Sequence, residues 1–129
     1  MIRFGGFYAQ DGSRIQLPLR ENPHLSSVVA AIKYIRDCGV IGLIHSEEDI
    51  KISELKIQIS NCLYMPYLET IVPDGVIVRS IDNDGANCEL MDFMGERYPS
   101  TNITSDIQYI SEICAEFIDS GTVSRMVVI

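Results

Sequence analysis

The spacing of apolar residues predicts two amphipathic helices. The first begins at Asn22-Pro23, with Asn as the N-cap and Pro at the first helical position. Gly39 follows its last turn and is predicted to end it. Its apolar side chains recur every three or four residues and form one stripe, which consists of Leu25, Val28, Val29, Ile32 and Ile35.

The second helix is predicted to open at a capping box, Ser105-Asp106-Ile107-Gln108, and to end at Gly121. Each helix has one apolar side, which has to be covered by a sheet or by another helix. The apolar stripe of the second helix consists of Ile107, Ile110, Cys114, Phe117 and Ile118.

Asp-Gly pairs between apolar runs predict β-hairpins, because Gly accepts a positive φ and Asp bonds to the local backbone. Three such pairs occur, at Asp11-Gly12, Asp74-Gly75 and Asp84-Gly85. They are predicted to join residues 3–9 to 14–17, residues 67–72 to 76–82, and residues 76–82 to 86–94.

Further strands are predicted between and after the helices. Residues 55–60 alternate between apolar and polar, as in a strand with one solvated face. The preceding segment is ambiguous, since residues 46–49 suit the cap of a short helix whereas residues 50–53 alternate as a strand does. Glu54 shifts the alternation, which indicates a β-bulge. The segments 40–45 and 125–129 are rich in Val and Ile and are predicted to be buried strands.

The predicted element order is therefore β-β-α-β-β-β-β-β-α-β. Because hairpins dominate, we expect an α+β fold: a mostly antiparallel sheet of about six to eight strands with two helices packed on one side. The length of 129 residues suits a single domain, 1–129.

Charge is distributed unevenly along the chain. Residues 1–40 carry five basic and three acidic side chains, a net +2, whereas residues 41–129 carry five basic and fifteen acidic side chains, a net −10. Phosphate contacts need clustered Lys and Arg, so this chain is not expected to bind nucleic acid. An anionic membrane surface would repel it as well.

The cysteines, at positions 38, 62, 88 and 114, lack metal-ligand and redox spacing. The segment Met1–Gly6 does not begin the apolar run of a secretory leader, so we expect a cytoplasmic protein with free, mostly buried thiols. The apolar runs are also too short to cross a bilayer.

Signatures of catalysis are weak. His24 and His45 are the only histidines, and neither is predicted to lie beside a nucleophile. Residues 82–85 form an acidic turn, but its Gly and the following Glu stand at the wrong positions for a calcium loop. Phosphate-binding glycine patterns do not occur. We therefore predict no enzymatic activity, no metal site and no cofactor.

The segment Tyr64–Leu68 places two aromatic residues and a methionine around Pro66. Proline lacks an amide donor and therefore suits an edge strand. Exposed Tyr and Met are enriched in interfaces, so the segment is a candidate binding surface. The alternative is that half of it belongs to the core.

In size, acidity and apparent compartment, the whole chain resembles the immunity proteins of bacterial toxin systems, including those of contact-dependent inhibition. The resemblance rests on no motif, so no functional residue is carried over from it. It implies a bacterial protein that binds one cognate toxin, often a basic nuclease, and blocks it stoichiometrically.

The resulting hypothesis is a small acidic protein that docks electrostatically on a basic partner protein. The alternatives are an oligomerising or scaffold subunit that uses an exposed sheet edge, giving a homo-oligomer, and an enzyme built from dispersed carboxylates. The residues predicted to bind the partner are Glu47, Glu48, Asp49, Tyr64, Tyr67, Glu69, Asp82, Asp84, Glu89, Asp92, Glu96 and Tyr98.

Overall fold

A computed structural model describes residues 1–47, 51–82 and 89–128. The order of elements agrees with the predicted one except for an additional strand, β8, before the second helix. The elements are β1 (Ile2–Gln10), β2 (Ser13–Glu21), α1 (Leu25–Tyr34), β3 (Cys38–Glu47), β4 (Lys51–Ser60), β5 (Leu63–Val72), β6 (Gly75–Ser80), β7 (Leu90–Phe93), β8 (Glu96–Pro99), a 3-10 turn (Ser100–Asn102), α2 (Ile107–Ser120) and β9 (Val127–Val128).

Seven strands form one antiparallel sheet in the order β2-β1-β3-β4-β5-β6-β9, and β7 pairs with β8 in a separate hairpin. The predicted α+β fold with a mostly antiparallel sheet is confirmed. The hairpins at Asp11-Gly12 and Asp74-Gly75 are also confirmed. The turn predicted at Asp84-Gly85 lies outside the described residues, but the hairpin predicted across it is wrong, because β6 pairs with β5 and β9 while β7 pairs with β8.

Both helices cover the same face of the sheet, which we call the inner face. Apolar side chains of α1 and α2 pack there against alternate residues of the central strands and form the main core. The opposite, outer face carries the other half of each strand. The fully buried members of the core are Val28, Ile32, Ile41, Leu43, Leu55, Ile57, Ile59, Leu68, Ile81, Ile110, Ile113, Cys114 and Phe117.

The boundaries of α1 differ from the prediction at both ends. His24 is the N-cap, while Asn22 adopts a φ of 48° and accepts a hydrogen bond from the Ile2 amide with its side chain, at 3.2 Å. The helix ends before Ile35, and Gly39 lies inside β3. A Cβ at Gly39 would come within 2.7 Å of the Ile35 side chain, so this glycine permits close packing and does not end the helix.

The cap of α2 lies one residue beyond the predicted Ser105. Asp106 is the N-cap, and its side chain accepts hydrogen bonds from the amides of Gln108 and Tyr109 at 3.0 and 3.2 Å. Gly121 adopts the left-handed conformation, with a φ of 74°, and closes the helix as predicted.

The bulge predicted at Glu54 is wrong. Strand β4 pairs with β3 and β5 without a register shift, and its residues alternate regularly between the two faces. The alternation is concealed in the sequence because Ser53 occupies an inner position while Ile52 is 38% exposed. A bulge occurs elsewhere, between β1 and β2, where the register shifts between Phe4 and Gly6.

The segment predicted as a buried strand at residues 125–129 is described as far as residue 128, and this part is not a buried strand. Of residues 125–128, only Val127 and Val128 form a strand, and Val128 is 64% exposed. The reason is its position at the sheet edge, where β9 pairs with two residues of β6.

None of the helices in residues 1–47, 51–82 and 89–128 is long and apolar enough to cross a membrane.

Candidate functional site

The strand register brings charged and aromatic side chains together on the outer face. Lys56 of β4 is paired with Tyr67 of β5, and Glu54 is paired with Glu69 in the next outer row. Directly opposed residues in antiparallel strands have Cβ atoms about 4.5–5.5 Å apart. Four side chains from two strands therefore form one contiguous group.

Lys56 connects the carboxylates of this group. Its Nζ lies 3.2 Å from Oε1 of Glu54, 3.9 Å from Oε1 of Glu69 and 5.8 Å from the centre of the Tyr67 ring. Desolvation by burial lowers the pKa of Lys56, but hydrogen bonding and attraction to Glu54, with smaller effects of Tyr67 and Glu69, raise it overall. The lysine thus stays protonated, and the two glutamates leave the group net negative.

The β7–β8 hairpin covers the adjoining part of the outer face. Phe93 and Ile103 pack with Met65 of β5 in a second apolar cluster, and Tyr98 packs against it. The Tyr98 hydroxyl donates a 2.8 Å hydrogen bond to Oε2 of Glu96, and this bond is the main reason why the pKa of Tyr98 is raised. The hairpin thereby fixes one more carboxylate at the margin of the face.

Tyr67 and Tyr98 line one shallow cavity of about 250 Å³ between the sheet and the hairpin. The Gln58 side-chain amide donates a hydrogen bond to the Tyr67 hydroxyl at 3.3 Å, which helps to orient the Tyr67 ring. Both tyrosines are half-buried, so each has a supported ring and an accessible edge. We call this arrangement the acidic–aromatic face; it consists of Glu54, Lys56, Tyr67, Glu69, Glu96 and Tyr98.

The structure therefore brings together four of the predicted partner-binding residues, Tyr67, Glu69, Glu96 and Tyr98. Asp82, Glu89 and Asp92 are exposed, and Asp92 is paired with Arg97 at 3.6 Å. Glu47 ends β3. The predicted residues Glu48, Asp49 and Asp84 lie outside the described residues.

Tyr64 does not join this face. Its side chain is only 7% exposed, lies in the main core and presents almost no surface to a partner. Its amide and carbonyl bond to Thr104, which ties the start of α2 to the sheet. Tyr64 is therefore a structural residue, and the aromatic contacts of the face come from Tyr67 and Tyr98.

Pro66 indicates an edge strand, but the segment Tyr64–Leu68 does not lie at a sheet edge. It lies in β5, which pairs with β4 on one side and β6 on the other. The proline is tolerated because the pairing with β6 begins only at Tyr67. Met65, Pro66 and Leu68 are buried, so this segment offers little surface for self-association.

Glu54 and Lys56 are the two members of the face that the sequence interpretation misses. It assigns Glu54 to a bulge, although Glu54, Lys56 and Gln58 share the parity of the solvated positions in β4. Reading the charged positions at a period of two would have placed it on the outer face.

A second acidic surface lies on α2, across the molecule. Glu112 pairs with Arg125 at 3.0 Å, and Glu116 accepts a hydrogen bond from the Ser124 amide at 2.9 Å. These two carboxylates hold the C-terminal segment against the helix. Asp119 is exposed nearby on the same helix.

Catalytic geometry is not evident in the described ranges. They contain no group of three or more His, Cys, Asp or Glu side chains that could hold a metal ion. His24 caps α1, and His45 packs edge-on against Phe117 with ring centres 6.2 Å apart. Neither contact involves a nucleophilic side chain.

Three cysteines are described, and all three are free thiols. Only Cys114 is buried, and burial raises the pKa of its thiol to about 12, which keeps it protonated and unreactive. Cys38 is half-buried and Cys62 is exposed, in contrast to the expectation of mostly buried thiols.

Comparisons with known proteins extend over nearly the whole chain. A family model described as "Family of unknown function (DUF6911)" matches residues 1–127. A crystal structure of a hypothetical protein from Neisseria gonorrhoeae is similar, with 29% sequence identity and a TM-score of 0.75, over 95% of this chain and 89% of that one. None of the curated proteins matches the chain.

Proposed function

The chain belongs to DUF6911, a family of unknown function, and we propose from its surface that it binds a basic partner protein through the acidic–aromatic face. By its resemblance to immunity proteins, the partner would be a cognate toxin that is blocked stoichiometrically in the bacterial cytoplasm. The binding role and the nature of the partner are separate parts of the proposal.

The proposal rests on a continuous set of side-chain contacts on the outer face, which joins tyrosines to carboxylates. Glu96 bonds to Tyr98, Tyr98 shares a cavity with Tyr67, and Tyr67 lies beside the Lys56 group with its two glutamates. Half-buried tyrosines next to carboxylates suit a protein interface, because aromatic anchors supply most of the binding energy while charges steer association.

The acidic surface of α2 is a weaker candidate for the same role. Glu112 and Glu116 are already engaged by the C-terminal segment, so binding a partner there would break existing contacts. On the outer face, Lys56 is shared between two glutamates at 3.2 and 3.9 Å, which leaves carboxylate oxygens for additional cations.

Self-association through a sheet edge is also less well supported. The long edge strand β2 contains Pro18 and takes part in the bulge with β1. Proline and bulges are features that protect edges against pairing with other strands.

Site-specific photo-crosslinking tests the proposal. A benzophenone amino acid is introduced in place of Tyr67, and in a second protein in place of Tyr98, before irradiation in an extract of the native host. Tyr34, an exposed tyrosine of α1, is the control position. We expect one basic protein to be crosslinked from positions 67 and 98 and not from 34, and to form an equimolar complex when purified.

Substitutions then locate the interface. Glu69→Gln combined with Glu96→Gln is expected to weaken the complex, whereas Asp119→Asn on α2 should leave it unchanged. Crosslinking from all three positions alike, or a captured protein that is acidic, would contradict the proposed face. A basic partner that is not a toxin would leave the binding role intact and exclude the immunity role.

A further inference from the structure

A trough of about 650 Å³ lies on the outer face and shares Glu54 and Lys56 with the acidic–aromatic face. Its floor is formed by Gly5 of β1 and Gly42 of β3, which are paired in register. Its lining is mostly apolar and does not include the β7–β8 hairpin. The side chains that surround the glycine floor include Arg3, Leu19, Val40, Ile44, Glu54 and Lys56.

Gly42 is not required by the fold. A Cβ at this position would meet only Oε1 of Glu54, at 4.0 Å, and its φ lies outside the left-handed region. Gly6 is different, because a Cβ there would come within 2.2 Å of the Val40 carbonyl oxygen at a φ of 154°. A glycine inside a strand costs about 0.5–1 kcal/mol relative to Ala, so the open space above Gly42 is itself the feature that requires a reason.

Gly5 supports the same interpretation. Its added Cβ would meet only the end of the Leu19 side chain, at 3.3 Å, and that flexible group can move aside. The peptide plane is thus open at Gly42, and at the paired Gly5 it is covered only by the end of the Leu19 side chain. Such a floor accepts a flat group in close contact, which a side chain at either position would prevent.

The charge of the lining is opposite to that of the whole chain. Two cations, Arg3 and Lys56, and one anion, Glu54, give the lining a net +1, whereas the chain has a net charge of −8. Because Lys56 is already paired with Glu54 and Glu69, Arg3 is the cation that is left for a ligand. Within the described residues, no carboxylate lies within 4.0 Å of the Arg3 guanidinium. Among these residues Arg3 has no ion-pair partner, so its guanidinium at the rim is suited to a carboxylate.

We infer that the trough binds a small amphipathic anion, with a flat apolar body on the Gly5–Gly42 floor and a carboxylate on Arg3. Its volume is within the range of about 300–1,000 Å³ that is typical of small-molecule sites. The glycine floor gives shape selectivity, and Arg3 gives charge selectivity. The inference uses neither Tyr67 nor Tyr98 and does not depend on the proposed partner protein.

A titration with 2-naphthoate, followed by amide NMR, tests this site. We expect saturable shifts of the Gly5 and Gly42 amides, while Gly95 in the β7–β8 turn and Gly121 at the end of α2 stay unchanged. The neutral analogue 2-naphthalenemethanol should bind at least about tenfold more weakly, because it cannot form the charge-assisted bonds to Arg3.

Two variants distinguish the contribution of the glycine floor from that of Arg3 at the rim of the trough. Gly42→Leu fills the trough and should abolish naphthoate binding without loss of thermal stability. Arg3→Gln should weaken naphthoate about tenfold and leave the neutral analogue unaffected. Arg20→Gln is the matched control, since Arg20 is paired with Phe4, a core residue, and therefore faces away from the trough.

Shifts spread over the whole protein, or full naphthoate binding by the Gly42→Leu variant, would overturn the inference. Failure of naphthoate to bind the wild type would overturn it as well. If Gly42→Leu then weakened the complex with the crosslinked protein, the trough would belong to the protein interface instead.

Discussion

Ser53 and Thr70 are a polar pair inside the protein. They are directly opposed on β4 and β5, both are buried, and their hydroxyl oxygens are 3.4 Å apart. The pair satisfies two hydroxyls that would otherwise be buried without partners, and such groups cost about 1–3 kcal/mol each.

Ser53→Ala is therefore expected to lower the free energy of unfolding by about 1–2 kcal/mol, because it leaves the Thr70 hydroxyl unsatisfied. Thr70→Val in the Ser53→Ala background should restore most of this loss, since both hydroxyls are then replaced by apolar groups. Urea unfolding of the four proteins measures the coupling. Strictly additive losses would show that the two hydroxyls do not interact.

Ser53 also explains why the sequence predicts a bulge at Glu54 that the structure does not contain. A serine at an inner position and an isoleucine at an outer one reverse the usual polarity of β4 at residues 52 and 53. Because of this reversal, the sequence pattern resembles that of a bulge at Glu54. Glu54 is therefore not among the residues predicted to bind the partner. Pairing with β5, which is not encoded locally, decides the face on which each residue lies.

At the scale of elements, α2 holds the C-terminal segment by two contacts. Glu116 accepts from the Ser124 amide, and Glu112 pairs with Arg125. The backbone bond from Ser124 is the main reason why the pKa of Glu116 is lowered, and hydrogen bonding by the Ser124 side chain also lowers it. A carboxyl group with a lowered pKa in the folded state adds stability above its ordinary pKa, and this stability is lost as the pH falls.

Glu116→Gln is accordingly expected to reduce the unfolding free energy at neutral pH by a few tenths of a kcal/mol, since the group is close to solvent. The difference from the wild type should disappear well below pH 4.5, the ordinary pKa of a glutamic acid, where both side chains are neutral. Thermal unfolding across this range checks the result, with Asp119→Asn as the control. A difference that persists at acid pH would show that the carboxylate charge is not involved.

The elements themselves were predictable where local chemistry determines them. The Asp-Gly turns at residues 11–12 and 74–75 and the glycine that closes α2 were identified correctly. The start of α1 was misplaced because Asn22 uses its side chain to bind the Ile2 amide of β1, a contact between distant residues. The additional strand β8 is short and exposed, so its sequence pattern is weak.

At the scale of the whole molecule, the charge count along the chain does not define a surface. Glu54 and Glu69 become neighbours through the pairing of β4 with β5, whereas Glu112 and Glu116 lie on α2, which covers the opposite face. These four acidic residues thus occupy two separate regions, and the contacts of the C-terminal segment distinguish them. The outer face retains carboxylates beside accessible tyrosines, which the linear sequence does not show.

The most direct test of the proposed function is the salt dependence of association with the partner crosslinked from position 67. Association rates are measured at increasing ionic strength for the wild type, for the Glu69→Gln/Glu96→Gln variant and for Asp119→Asn. The proposal predicts that salt slows association, that the double variant is slower at low salt and less sensitive to salt, and that Asp119→Asn behaves like the wild type. The proposal would be contradicted by association that does not respond to salt. It would also be contradicted if Asp119→Asn slowed association as much as the double variant does.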